Sequence, residues 1–193
     1  MWIEVIGLPG VGKTTLIKKG LPTISGHYQI VQSNSPSFFQ KIIHRILFFG
    51  FYGSRLKDIA LANKLAYRHS FRLFKSQNEP VFFYDSGLLQ VFIENLVETD
   101  FECVEQKLQL WNKLPRPDKI IFLTDDVEAV VQREVGREKR RFQLDVPNML
   151  ERYRKAQLFI EQYLLDDMSV TIDLADPEYV TNFLQVFSNE KVF

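Results

Sequence analysis

Trp2-Ile3-Glu4-Val5-Ile6-Gly7-Leu8-Pro9-Gly10-Val11-Gly12-Lys13-Thr14-Thr15-Leu16-Ile17-Lys18-Lys19 decides the architecture of this chain. A largely apolar run of strand character meets a glycine-rich turn, which passes into a segment of helical composition. Gly7 to Thr14 satisfies G-x-x-x-x-G-K-[ST] in that strand-turn-helix context. Gly7, Gly10 and Gly12 let the backbone turn tightly, with Pro9 and Val11 between them, so that successive amides face a phosphate group. A helix opening at Lys13 adds its positive dipole end to the same oxygens. Lys13 then serves as the catalytic cation between the β- and γ-phosphates, the Thr14 hydroxyl suits Mg²⁺, and Thr15 reaches the α-phosphate. The alternative is a glycine turn with no ligand. On background glycine usage, a chance match in a chain of this length is of order one in a hundred.

Further strands are needed to cover such an element, and the chain supplies them. Pro80 to Tyr84 and Lys119 to Leu123 are continuous apolar runs, as expected of parallel strands buried on both faces; Tyr28 to Gln32 and Ser169 to Leu174 bring the set to about five. Helices are expected at Lys13 to Lys19, Phe38 to Phe49, Arg55 to Lys75, Leu88 to Val97, Val127 to Val135, Asn148 to Leu165 and Glu178 to Phe187. For the sixth of these, Asp145 suits a cap and Pro147 a first turn, while Met149, Leu150, Tyr153, Ala156, Ile160 and Leu164 recur at helical spacing. Strands alternating with helices imply an α/β fold with a parallel sheet covered on both faces. The 193 residues contain no repeat or Ser/Gly linker, which predicts a single domain over 1–193.

Chemistry in a parallel sheet collects at the carboxyl ends of the strands, and the run ending in Tyr84 delivers Asp85 there. Asp85 has two catalytic readings, a ligand for the magnesium water or a base for an attacking hydroxyl, beside a plain one as a helix cap. A second feature is Arg133-Glu134-Val135-Gly136-Arg137-Glu138-Lys139-Arg140-Arg141. At about 100° per residue, Arg133, Arg137, Arg140 and Arg141 share one helix face, suited to the charge of a transferring phosphoryl group. Gly136 weakens that helix, as a closing lid over about 133–146 requires; a solvated helix with Glu134 and Glu138 as partners is the alternative.

Twenty-four Lys and Arg balance 24 Asp and Glu, so no global field gathers nucleic acid. The lone Cys103 makes no internal disulfide, and a reducing, cytoplasmic setting is expected. No apolar run reaches the roughly 18 residues of a membrane span. Phe48, Phe49, Phe51 and Tyr52 suggest an aromatic pocket wall or an interface, such as a homodimer surface. Ser33 to Pro36 suits an acceptor pocket or a turn, and Trp111 suits packing.

Taken together, the loop, Asp85, Pro117-Asp118-Lys119-Ile120-Ile121-Phe122-Leu123 leading to Arg133, the arginine-rich segment, Leu150-Glu151-Arg152-Tyr153 and the final strand with Asp173-Leu174-Ala175-Asp176-Pro177 resemble the thymidylate kinase and deoxynucleoside kinase branch of P-loop kinases. The resemblance covers most of the chain. It implies a P-loop NTPase three-layer α/β/α sandwich, ATP in the loop, a helical lid over the phosphates, and adenine near Ala175, Asp176 and Pro177. The acceptor motifs depart from that branch. Ser86-Gly87-Leu88-Leu89-Gln90 stands where the acid is usually followed by arginine, and the second strand ends without a Glu-Pro pair. A similar acid-x-Gly-x-x-Gln stretch occurs in some kinase-like proteins encoded among polysaccharide genes. The expected activity is therefore ATP- and Mg²⁺-dependent phosphorylation of a nucleoside, nucleotide or sugar-type acceptor, with Thr14 and Asp85 at the metal; a regulatory or assembly ATPase is the alternative. A GTPase is disfavoured because no strand ends in an Asn-Lys-x-Asp signature.

Overall fold

The computed structural model describes residues 2–20, 29–31, 82–84, 87–98, 101, 104–112, 116–138, 146–167 and 169–188. Five parallel strands form one sheet: β1 (Trp2–Gly7), β2 (Gln29–Val31), β3 (Phe82–Tyr84), β4 (Lys119–Thr124) and β5 (Ser169–Asp173), in the order β2-β3-β1-β4-β5. Every residue of β1 is buried, because β1 is the central strand and both of its edges are paired. Ile3 lies opposite Phe83 of β3 on one side and Lys119 of β4 on the other. The strand order reverses direction at β1, and the crevice at the carboxyl end of such a strand is where α/β sheets bind ligands.

Helices α1 (Lys13–Gly20), α2 (Leu88–Glu98), α3 (Val104–Trp111), α4 (Val127–Glu138), α5 (Val146–Phe159) and α6 (Tyr179–Ser188) cover the sheet. The alternation of side chains along each strand divides the apolar runs between two cores. Ile3 and Val5 of β1 and Ile121 and Leu123 of β4 pack with Leu16, Ile17, Val130, Val131 and Phe183. Trp2, Ile6, Ile120 and Phe122 pack with Leu89, Phe92, Trp111 and Ile160 on the opposite face. The chain is thus a three-layer α/β/α sandwich, and the continuous rather than alternating sequences of β1 and β4 follow from both of their faces being covered.

All five expected strands are present. The expected helix from Asn148 begins instead at Val146, with Pro147 in its first turn, and after Phe159 it widens to a π-turn over Ile160–Leu164. Helix α3 was not expected. Its apolar residues are few, but Val104, Leu108 and Trp111 recur at i, i+4 and i+7, and they carry it against the core. Trp111 is buried, 5.4 Å from the Phe92 ring, with the Arg116 guanidinium 4.1 Å above its own ring. The helices expected at 38–49 and 55–75, the 33–36 stretch and the aromatic patch at 48–52 lie outside the described residues. Among the described residues no helix is long and apolar enough to cross a membrane.

Candidate active site

The turn from β1 into α1 runs through positive φ at Gly7 (155°), Gly10 (83°) and Gly12 (111°). Two of these positions are also hemmed in. A Cβ on Gly7 would lie 2.6 Å from the Leu123 carbonyl oxygen of β4, and one on Gly10 would lie 2.9 Å from Glu134 Oε2 and 3.2 Å from the Val130 carbonyl of α4. The loop is therefore shaped by backbone conformation and by neighbours on both sides, and no other residue type fits either position unstrained. The Val11 amide donates to the Leu8 carbonyl (3.2 Å), closing the turn, and the Leu16 amide donates to Gly12 (3.0 Å), starting α1.

Lys13 folds over this turn. Its ammonium donates to the Gly7 and Leu8 carbonyl oxygens at 3.1 and 3.0 Å. Thr14 and Thr15 are exposed on the first turn of α1, and Pro9 is half-buried in the loop.

A cavity of about 210 Å³ opens from the loop. Gly10, Val11, Gly12, Thr15 and Leu16 form one wall, and Asp125, Arg133, Leu174 and Tyr179 form the other. Arg133 is the one arginine of the expected face whose side chain is described. Its guanidinium is paired with Asp125 and its Nε donates to the Ala129 carbonyl at 3.2 Å. Asp125 itself immediately follows β4, so the carboxyl end of a second strand contributes to the wall. Arg133 and Arg137 both belong to α4, whereas Asp85, Arg140 and Arg141 lie outside the described residues. Residues 133–138 of the segment expected as a lid are continuous with α4.

At the far wall the cavity is lined by Leu174 and Tyr179, which flank Ala175, Asp176 and Pro177, rather than by those three. Asp176 turns its carboxylate to the start of α6, accepting from the Glu178 amide and from Asn182 Nδ2, each at 2.8 Å. The Ala175 amide donates to Asp173 Oδ1 at 2.9 Å. Leu174 reaches the glycine loop because its amide continues the β4 pairing through the Thr124 carbonyl (2.9 Å), which sets its side chain 3.5 Å from the Cβ position of Gly12. Asp125 and Tyr179 were not singled out from the sequence, and Leu174 entered only as part of the Asp173 to Pro177 motif. Asp125 carried the same signal as Asp85, an acid at a strand's carboxyl end.

No protein-family model and no curated protein sequence matches the chain. Solved structures do. Deoxyadenosine kinase from M. mycoides, with bound dATP, is 17% identical with a TM-score of 0.61, covering 98% of this chain and 98% of that one. Thymidylate kinase from Candida albicans is 16% identical with a TM-score of 0.65, covering 100% of this chain and 93% of that one. The fold of this chain is thus the one that these two kinases share.

Proposed function

We propose that the chain is an ATP- and Mg²⁺-dependent small-molecule kinase that phosphorylates a hydroxyl or phosphate of a nucleoside-like, nucleotide-like or sugar-type acceptor. One observation carries the reading: a single cavity joins the phosphate loop to a wall of Arg133, Leu174 and Tyr179. A nucleotide needs both halves, amides and a dipole for phosphates and apolar or guanidinium surface for a base. Neighbours of the same fold were solved with dATP and dCTP bound, which supports a nucleotide in this cavity.

In this reading Lys13 turns from its carbonyl partners to the β- and γ-phosphates, and the loop amides hold the remaining oxygens. Thr14 offers an exposed hydroxyl oxygen on the first turn of α1, a donor of the kind Mg²⁺ takes, and Asp85 completes the set. Magnesium, when bound, neutralises phosphate charge. Asp85 takes the proton from an acceptor hydroxyl as that oxygen bonds to the γ-phosphorus and the bond to the β–γ bridging oxygen breaks, releasing ADP. Arg133 walls the nucleotide, and Arg137, Arg140 and Arg141 of the lid meet charge that grows in the transition state. Residues 1–193 act as one domain, in the cytoplasm, with 133–146 as the lid. Ser86, where an arginine usually follows the acid, widens the acceptor class to sugars.

Product analysis tests this directly. With ATP, Mg²⁺ and a panel of nucleosides, nucleotides and sugars, ADP and one phosphorylated acceptor should appear together. Free phosphate without a phosphorylated acceptor would favour a regulatory ATPase, and an absence of ATP binding would overturn both readings.

A further inference from the structure

A buried polar network reaches the phosphate loop from the helix that follows β3. Glu4, in the middle of β1, is fully buried and lies in register with Tyr84 of β3. Three residues beyond Tyr84, Gly87 caps the start of α2, its carbonyl accepting from the Val91 amide at 3.2 Å. The first amides of a helix lack intrahelical partners, and a side chain of the capping residue normally supplies one. Here the acceptor comes from the neighbouring strand, since the Gln90 amide donates to Glu4 Oε1 at 3.0 Å. A Cβ on Gly87 would lie within 2.6 Å of both Glu4 carboxylate oxygens, so only glycine leaves room for this arrangement.

The Gln90 side chain carries the network onward. It is fully buried; its Nε2 donates to Glu94 Oε1 at 3.0 Å and its Oε1 accepts from the Gly7 amide at 3.1 Å. Chemistry dictates this orientation, because a carboxylate only accepts and a backbone N–H only donates. Flipping the amide would set acceptor against acceptor and donor against donor. Gly7 is the first residue of the phosphate loop, and its other side is closed by the Leu123 carbonyl. With Gln90 in place its peptide has one orientation. Without that acceptor, a buried N–H is left to find another by rotating the loop.

We propose that Gln90 is a positioning residue of the phosphate loop, holding the Gly7 peptide so that the amides beyond it face the nucleotide. The spacing Asp85-x-Gly87-x-x-Gln90 then has a physical reason: glycine clears Glu4, and glutamine three residues later reaches Gly7. This inference rests on reading the loop as an ATP cradle.

Two variants test it in the full chain, with ATP affinity measured by calorimetry beside the melting temperature. Gln90→Met keeps the size and removes the acceptor, and it should weaken ATP binding about tenfold. Gln90→Glu combined with Glu94→Gln keeps an acceptor toward Gly7 and a donor between the two side chains, and it should recover affinity to within about threefold. Wild-type affinity in Gln90→Met, whatever its melting temperature, overturns the proposal, as does a folded double variant with no recovery. If Gln90→Met does not fold, amide exchange of the wild-type protein decides, with Gly7 expected among the slowly exchanging amides and a rapidly exchanging Gly7 overturning the assignment. A wild-type protein that binds no ATP would sink the cradle reading instead, and the exchange measurement would still report on the Gln90 to Gly7 bond.

Discussion

Lys13 belongs to the glycine loop and Arg133 lines the cavity that opens from it, and their surroundings separate these two cations. The Lys13 ammonium donates to two carbonyl oxygens, neutral dipoles with which a phosphate oxygen competes well because it brings full charge. Arg133 already has a carboxylate partner in Asp125, and with its side chain 43% exposed that pair contributes at most about 1 kcal/mol to stability. In the proposed reading Lys13 exchanges these carbonyl oxygens for phosphate charge, while Arg133 keeps its carboxylate partner. Lys13→Ala should therefore lower turnover by at least about a hundredfold, the scale of losing one preorganised donor to transition-state charge. Its melting temperature should stay within about 2 °C of wild type, since no core packing is lost. Rate assays and circular dichroism on the same preparation check both, and a variant that turns over normally would remove Lys13 from the chemistry.

At the scale of elements, α4 does two jobs. Up to Glu134 it lies against the glycine loop, with the Val130 carbonyl and Glu134 beside Gly10, and Val130 and Val131 are buried in the core. Its second half holds Gly136, whose Cβ position meets nothing within 4 Å. A glycine in open space costs helix stability and gains no packing in return, so the helix is weak where the proposed lid begins. Like charges on one face weaken it further until an anion lies beneath them. Limited proteolysis should cut within 136–145 first, and an ATP–acceptor mimic should slow that cut by at least about tenfold. Arg137→Ala should lower the catalytic rate more than ATP affinity, because the charge it meets grows toward the transition state, with Lys139→Ala as the control. Equal cutting with and without nucleotide would leave a solvated helix. Helix α3 teaches the complementary lesson: three apolar residues at helical spacing were legible, but only the presence of Phe92 across the core makes that stripe worth burying.

Across the whole molecule, stability resides in the two cores on either side of β1 and β4. Ile121 is fully buried in one of them, so Ile121→Ala should cost about 3 kcal/mol and lower the melting temperature by roughly 6–12 °C, with the rate per folded molecule little changed. Thermal unfolding measures the first and active-site titration the second; a shift below about 2 °C would mean the core collapses around the gap. How much of this was legible follows from range. The loop from Gly7 to Thr14 and the strands Trp2–Gly7 and Lys119–Thr124 could be read because glycine spacing and apolar continuity act over a few bonded neighbours. Asp85 could be proposed as an acid at a strand's end, though its geometry falls outside the described residues. Glu4 could not be read as a helix cap, since a carboxylate in an apolar strand is explained only by the helix start that register with Tyr84 sets above it. Nor could the cavity wall, where Asp125, Arg133, Leu174 and Tyr179 meet residues more than 100 positions earlier. Sequence alone determined the glycine loop from Gly7 to Thr14 and the α/β class, because both are encoded in local spacing. Only the tertiary structure decided what faces the loop: strand order β2-β3-β1-β4-β5 puts β4 and β5 to one side and the α2 helix beneath, and proximity across a sheet is set by which strands pair, not by distance along the chain.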